Sequence, residues 1–202
     1  MILSIDTFSD ILGISLIGDD KDVIFNLSYK RPKPFSESLI KIIDDNFKEL
    51  NIQKSQLTSV CVNKGPGSYT GLRIGITTAK VLAYALNIKL YSYESLYAAA
   101  YKYRCFKGKI LVAVYAGKGE AYVRMFDNRK LNLKPLTENL LIKKTQLEGF
   151  INDADLIIQK NLDIEDSIEI KTSLALDGAL LALEKNSLED PFPLEPIYLR
   201  AN

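Results

Sequence analysis

The sequence predicts an α/β protein of two similar lobes, each a mixed sheet with an antiparallel three-strand meander flanked by helices. Two observations predict it. A strand-strand-strand-helix-strand-helix order can be read twice along the 202 residues, with a seam near Phe106-Lys107-Gly108. Within each half the first three strands follow too closely for helical crossovers, so antiparallel pairing is the economical solution. The expected lobes are residues 1–106 and 107–202.

Residues 2–7 are a short apolar run ending in Asp6-Thr7, which reads as a strand. Residues 11–17 are apolar and β-branched, with Gly18-Asp19-Asp20 as the following turn. Val23, Phe25, Leu27 and Tyr29 alternate with polar residues, the period of a half-buried strand. Arg31-Pro32-Lys33-Pro34 ends the meander. Ser36 then serves as N-cap, Glu37 suits the first turn, and Leu39, Ile43, Phe47 and Leu50 recur at helical spacing. A helix is expected over 36–50. A strand over 57–63 is broken by Gly65-Pro66-Gly67. The spacing then predicts a helix over 70–86, a strand over 89–93 and a helix over 94–103.

The second half repeats the order. Strands are expected over 109–115, 119–127 and 130–136, a helix over 145–151, a strand over 154–159 and a helix over 174–185.

Composition excludes several chemistries. Hydrophobic residues make up 47% and charged residues 25%, so a packed core is within reach and whole-chain disorder is not expected. The formal net charge of +1 argues against a dedicated nucleic-acid module. The chain has no His, so no His-based nucleophile or His-ligated metal site can be built from it. Cys61 and Cys105 lie far apart with no CxxC, which points to a reducing compartment. With no basic signal region and no apolar run of spanning length, the expected location is cytoplasmic.

The sharpest motif is Gly65-Pro66-Gly67-Ser68-Tyr69-Thr70-Gly71-Leu72-Arg73-Ile74-Gly75. Ser68 or Thr70 can cap the helix that follows. Gly71, Gly75, Ala79 and Ala83 then fall at successive i+4 steps, a ridge that would let a second helix approach closely. No Lys-Ser or Lys-Thr pair follows these glycines, so the P-loop reading fails on letters. An anion at the helix N-terminus remains an alternative.

These residues carry a resemblance. Met1 to Thr7 (MILSIDT), Ser36-Glu37, GPGSYTGLRIG over 65–75, Lys80 and Pro196-Ile197-Tyr198-Leu199-Arg200 resemble the TsaB family, also called YeaZ, of tRNA threonylcarbamoyladenosine biosynthesis proteins. The similarity is dense to about residue 95, thinner in the more divergent second half, and returns at Gly119-Glu120-Ala121-Tyr122. It implies an actin-like fold of two ribonuclease-H-like lobes. It implies a non-catalytic subunit that binds and activates a TsaD-like catalytic subunit and works with a TsaE-like ATPase. In isolation the subunit would self-pair as a homodimer, and it would meet tRNA only through the complex. No cofactor is expected on this chain alone, with ATP and magnesium left to the full complex.

In such a family the first two helices form the dimer surface, here 36–50 and 70–86. The partner-facing candidates are Ser36, Glu37, Ile40 and Phe47 on the first helix. On the motif and second helix they are Tyr69, Gly71, Arg73, Gly75, Thr78, Ala79, Leu82 and Ala83. Two departures stand out. Phe35 occupies the place where the family commonly has His, and Tyr115-Ala116-Gly117 stand where an Asp-Ala-Arg segment often opens the second lobe. Asp6 is thereby left as a vestigial nucleotide or metal residue without its counterpart.

Each signal also has a structural reading. Asp6 can simply satisfy backbone donors at a strand end. Arg73 can pair with a partner carboxylate or with Glu37, Tyr69 can pack or face a partner, and Lys80 can be a solvated charge. Cys61 reads as a buried thiol. The Tyr- and Lys-rich stretch 97–109 suits RNA contact or a helix end complementing its dipole. The competing functions are an actin-fold ATPase or sugar-kinase-like phosphotransferase, and a tRNA-binding module acting alone.

Overall fold

The computed structural model describes residues 1–30 and 35–200. The first sheet has the strand order β12-β5-β4-β1-β2-β3. Its strands are β1 (Ile2–Asp6), β2 (Ile11–Ile17), β3 (Val23–Lys30), β4 (Ser59–Asn63), β5 (Lys89–Tyr93) and β12 (Leu188–Glu189). β1, β2 and β3 form the expected antiparallel meander, with Ile2 opposite Ile17 and Leu12 opposite Tyr29. β1, β4 and β5 run parallel. Parallel neighbours need crossovers, and α1 (Leu39–Glu49) and α2 (Tyr69–Leu86) supply them.

The second sheet has the order β11-β10-β6-β7-β8. It comprises β6 (Lys109–Gly117), β7 (Glu120–Asp127), β8 (Lys134–Pro135), β9 (Leu140–Lys143), β10 (Leu156–Lys160) and β11 (Ile168–Glu169), with β9 also paired to β7. The single strand expected over 130–136 is therefore two short ones, β8 and β9, both on β7. Asn128 tightens the turn before them, and Pro135 is tolerated because β8 lies at the sheet's edge.

Two other expectations change. The first helix begins at Leu39, after a short 3-10 turn over Phe35–Glu37, so Ser38 and not Ser36 takes the cap position. The break expected at Arg31-Pro32-Lys33-Pro34 lies outside the described residues. The second change concerns how the halves pack. α3 (Ser95–Tyr101) belongs to the first half but packs on β6 and β7. α5 (Ala175–Lys185) belongs to the second half but packs on β1, β2, β4 and β5. The two helices lie against each other between the sheets. Ala98, Ala99, Ala100, Ala175, Ala179 and Ala182 are all buried there, and side chains this small let two helices approach closely. A boundary at 106/107 thus separates the main strands but not the packing.

The remaining core lies on the outer faces. Under α1 and α2 it holds Leu3, Ile5, Ile14, Ile42, Phe47, Val60 and Ile76. Under α4 (Leu147–Ile151) it holds Leu111, Val123, Leu147 and Ile157. After α5 the chain returns across the first lobe. β12 pairs with β5, Leu194 enters the core under α2, and Ile197 N donates to Lys64 O at 2.7 Å. Among the described residues no helix is long and apolar enough to cross a membrane.

Candidate functional site

The motif is laid flat against the end of β1. Gly65 has φ +103°, a region open to glycine, and the Gly65–Pro66 bond is cis. Asn63 Oδ1 accepts from Gly65 N at 2.9 Å and from Ser95 Oγ at 2.8 Å. Ser68 N donates to Phe8 O at 2.7 Å, and Ser68 Oγ caps α2 by accepting from Gly71 N at 3.2 Å. A side chain at Gly71 would collide with the Thr7 carbonyl oxygen, and one at Gly75 with the Thr7 hydroxyl.

This corrects the reading of the small-residue ridge. Gly71, Gly75, Ala79 and Ala83 are buried within their own lobe, on the face of α2 that meets β1 and β4. Phe47 is likewise buried in that core. These five residues do not face a partner. They are small, or apolar, because the sheet beneath needs them so.

Of the remaining candidates, Ser36, Glu37, Ile40, Tyr69 and Arg73 are exposed, while Thr78 and Leu82 are half-buried. Arg73 does not pair with Glu37. Its Nε donates to the Tyr198 hydroxyl at 2.9 Å, and its guanidinium lies 4.0 Å over the Tyr69 ring. The Tyr69 and Tyr198 rings sit 5.0 Å apart, so the C-terminal segment closes a sandwich on the motif helix. Lys80 is not simply solvated, since its ammonium donates to Phe192 O at 3.1 Å.

Sequence reasoning missed the outward face of α2. Val81 and Tyr84 are exposed there, and Phe192 folds back beside them, its ring 6.4 Å from that of Tyr84. Tyr84 is 76% and Phe192 79% exposed, values unusual for aromatic side chains this close together. The available signal was the apolar Phe192 inside a Pro-rich tail, which only the fold returns to α2.

Asp6 is fully buried, and its oxygens are occupied. Oδ1 accepts from Asn63 Nδ2 at 2.9 Å and Phe8 N at 3.3 Å, and Oδ2 accepts from Leu174 N at 2.7 Å. Burial pushes its pKa up from 3.8 to about 6, against the opposing pull of the bonds from Leu174, Asn63 and Phe8. Asp6 thus satisfies one local backbone donor, Phe8, and one distant one, Leu174, beside the Asn63 amide. Leu174 could not have been found from sequence, because it arrives from the far end of the chain.

A cleft of about 460 Å³ opens between the lobes, lined by Ser9, Asp10, Ser68, Tyr115, Lys160 and Arg200 among others. Lys160 Nζ meets Asp10 Oδ1 at 2.8 Å, tying the β1–β2 turn to the end of β10. Burial would raise the Asp10 pKa, but the Lys160 and Lys30 ammonium groups and a backbone donor hold it below its usual value. Arg200 pairs with Glu120 across the same cleft. Tyr115 is exposed near the end of β6 and lines the cleft. Among the described residues no three Asp, Glu, Cys or His side chains gather in a metal-binding group.

A meander-bearing mixed sheet in each lobe, with a cleft between, defines a two-lobed α/β protein of the actin-like, ribonuclease-H-like class. The chain matches the family model described as TsaD, tRNA N6-adenosine threonylcarbamoyltransferase, over residues 30–186, and it belongs to that family. It is 34% identical over 125 residues to the tRNA threonylcarbamoyladenosine biosynthesis protein TsaB of Bacillus subtilis (strain 168), covering 62% of this chain and 54% of that protein. It is 29% identical over 156 residues to TsaB of Buchnera aphidicola subsp. Acyrthosiphon pisum (strain APS), covering 75% of this chain and 70% of the relative. The match thus spans about half the length of the Bacillus protein. A crystal structure from Pseudomonas aeruginosa, described as an uncharacterized protein with similarity to peptidase YEAZ, superposes with a TM-score of 0.80 over 98% of this chain and 99% of its own, at 18% identity. That likeness speaks to the fold.

Proposed function

We propose that this chain is a non-catalytic subunit in the formation of threonylcarbamoyladenosine on tRNA, binding and activating a TsaD-like catalytic subunit. The observation that carries this reading is the closed Asp6. Asp6 is fully buried with donors from Leu174, Asn63 and Phe8 on its two oxygens, and the second lobe presents Tyr115 to the cleft, which supports a chain without a metal–nucleotide site of its own. Family membership and the names of the relatives support the pathway.

The partner docks on the outward side of the first two helices in this reading. Exposed Ile40, Val81 and Tyr84, with Phe192, offer the apolar centre, and Glu37 and Lys41 the polar rim. Without its partner the same face pairs two copies of the chain. A TsaE-like ATPase, ATP and magnesium belong to the assembled complex, and tRNA is met there.

A tagged chain is used to capture partners from host lysate, with bound proteins identified by mass spectrometry. Val81→Asp and Tyr84→Asp should lose a TsaD-like subunit that the wild type retains, with unchanged circular dichroism. Equal capture by all three chains would overturn the surface, and no capture by any would overturn the role. The inter-lobe cleft favours one second reading, an actin-fold ATPase. Micromolar binding of Mg-ATP to the isolated chain, lost in Lys160→Met, would favour it instead.

A further inference from the structure

We infer that the face built by the end of α3, the turn over residues 128–134 and the end of α5 binds the phosphate backbone of RNA. The inference rests on the reading above and names which surface of this subunit the tRNA touches. From Ser95 to Gly119 the chain has no Asp or Glu and carries Lys102, Arg104, Lys107, Lys109 and Lys118. The fold sets a second acid-free stretch, 128–137, beside it. Asn128 Nδ2 donates to Arg104 O at 2.8 Å and Phe106 O at 2.6 Å, and Asn128 N donates to Gly108 O at 2.9 Å. Lys185 joins from α5, its ammonium 5.8 Å from the Tyr97 ring, and shares a hollow of about 130 Å³ with Arg104.

What marks this face is how many of its cations are not spent: Lys109 pairs with Asp153 and Arg129 with Asp127, but among the described residues Lys102, Arg104, Lys107 and Lys130 have no ion-pair partner. Elsewhere Lys41, Lys48, Lys54, Lys64, Lys160 and Arg124 all sit in ion pairs. Here Lys102 donates only to the Thr172 hydroxyl, and Arg104 lies 4.5 Å over the Tyr101 ring while donating to the Tyr101 carbonyl. Among the described residues Lys107 and Lys130 are exposed and have no ion-pair partner. Five acids lie near: Asp153 pairs with Lys109, and Asp155 accepts from Lys109 N at 2.7 Å. Glu184 accepts from the Tyr101 hydroxyl, Asp127 is held by Arg129, and Asp177 is half-buried while facing Lys102 and Arg104. The surplus is positive.

Charge of this kind suits any polyanion, and the rings select among them. Tyr103 and Phe106 are half-exposed between the cations, giving flat faces on which bases can stack. An Arg already laid on a ring is set to bridge base and phosphate. The chain's net charge of +1 makes the attraction local, so the chain alone should bind RNA weakly and a partner that also holds the RNA should strengthen the contact. None of these residues lies on α1 or α2, so RNA and the catalytic partner can be held together.

Cys105 sits in the middle of this face and is exposed, whereas Cys61 is buried, so the native chain has a built-in reporter. The full chain, alone and with its captured partner, is titrated against an unmodified tRNA transcript by fluorescence anisotropy between 50 and 200 mM salt. Lys102→Ala, Arg104→Ala and Lys107→Ala together should weaken binding about tenfold or more and flatten the log–log salt slope by about two to three, roughly one per lost phosphate contact. Capture of the partner should not change. In the wild type, tRNA should slow alkylation of Cys105 by N-ethylmaleimide. Unchanged affinity in the triple variant, or alkylation that tRNA does not slow, overturns the inference. So does loss of partner capture with tRNA affinity intact, which would make the face a protein contact. Should the wild type capture no partner, the proposed role fails, while the titration of the chain alone still judges this face.

Discussion

The backbone N–H of Leu174 donates to Asp6 Oδ2 at 2.7 Å, joining residues 168 positions apart. The bond seats the start of α5 on the end of β1, with Asn63 on the other carboxylate oxygen. Asn63 in turn holds Gly65 and Ser95. One buried carboxylate therefore anchors the C-terminal helix, the motif loop and the start of α3.

The pH dependence of stability should report this arrangement. The folded pKa of Asp6, about 6, stands above its ordinary value of 3.8, so between these values the folded state holds a proton that the unfolded state has lost. The Asp6 contribution thus worsens as pH rises from about 4 to about 6. Relative to Asp6→Asn, the wild type should gain up to about 3 kcal/mol on acidification across that window. Urea denaturation of both proteins at several pH values checks it, and a constant difference would contradict it. The Tyr93 hydroxyl, whose pKa is raised by burial and by Asp6, stays protonated throughout.

Gly75 and Thr7 should behave as a coupled pair. Gly75→Ala forces a methyl into the Thr7 hydroxyl and should cost about 1–3 kcal/mol. That hydroxyl is buried with no hydrogen-bond partner, so Thr7→Ala should be tolerated and should rescue Gly75→Ala by moving the nearest Thr7 atom to 3.5 Å. Gly71→Ala meets the Thr7 backbone oxygen and should not be rescued. A double-mutant cycle by thermal denaturation decides the matter.

Asp10 and Lys160 should be unequal partners. The Lys160 side chain is 5% exposed and that of Asp10 42%. Asp10→Ala strands a buried ammonium and should cost about 1–3 kcal/mol, reduced from the fully buried case by solvent at Asp10. Lys160→Met leaves only a half-solvated carboxylate and should cost less. Urea midpoints at pH 7 give the order, and a larger loss for Lys160→Met would reverse the argument.

The two thiols should differ in reaction with Ellman's reagent. Cys105 is exposed and should react within the mixing time of the native protein. Cys61 is buried, and desolvation raises its thiol far above the usual range, so it should react only at the unfolding rate. Two fast equivalents would show that β4 is open.

Much of the architecture was legible because local pattern carries it. The alternation from Val23 to Tyr29, the β-branched run of β2, the Ser68 cap and the helical period of α2 each act over a few residues. The absence of His likewise removed whole classes of chemistry before any coordinates. The same letters misled where one pattern has two uses. Small residues at i+4 steps mean close approach, but not of what. On α2 the neighbour is Thr7 of the same lobe, and the close helix–helix contact is made by the alanines of α3 and α5. The return of Phe192, Tyr198 and Arg200 onto α2 and the cleft, the closure of Asp6 by Leu174, and the meeting of Arg104 with Asn128 join segments far apart in the chain. Periodicity tells which side of an element is buried. Which distant segment buries it is decided only when the whole chain has packed.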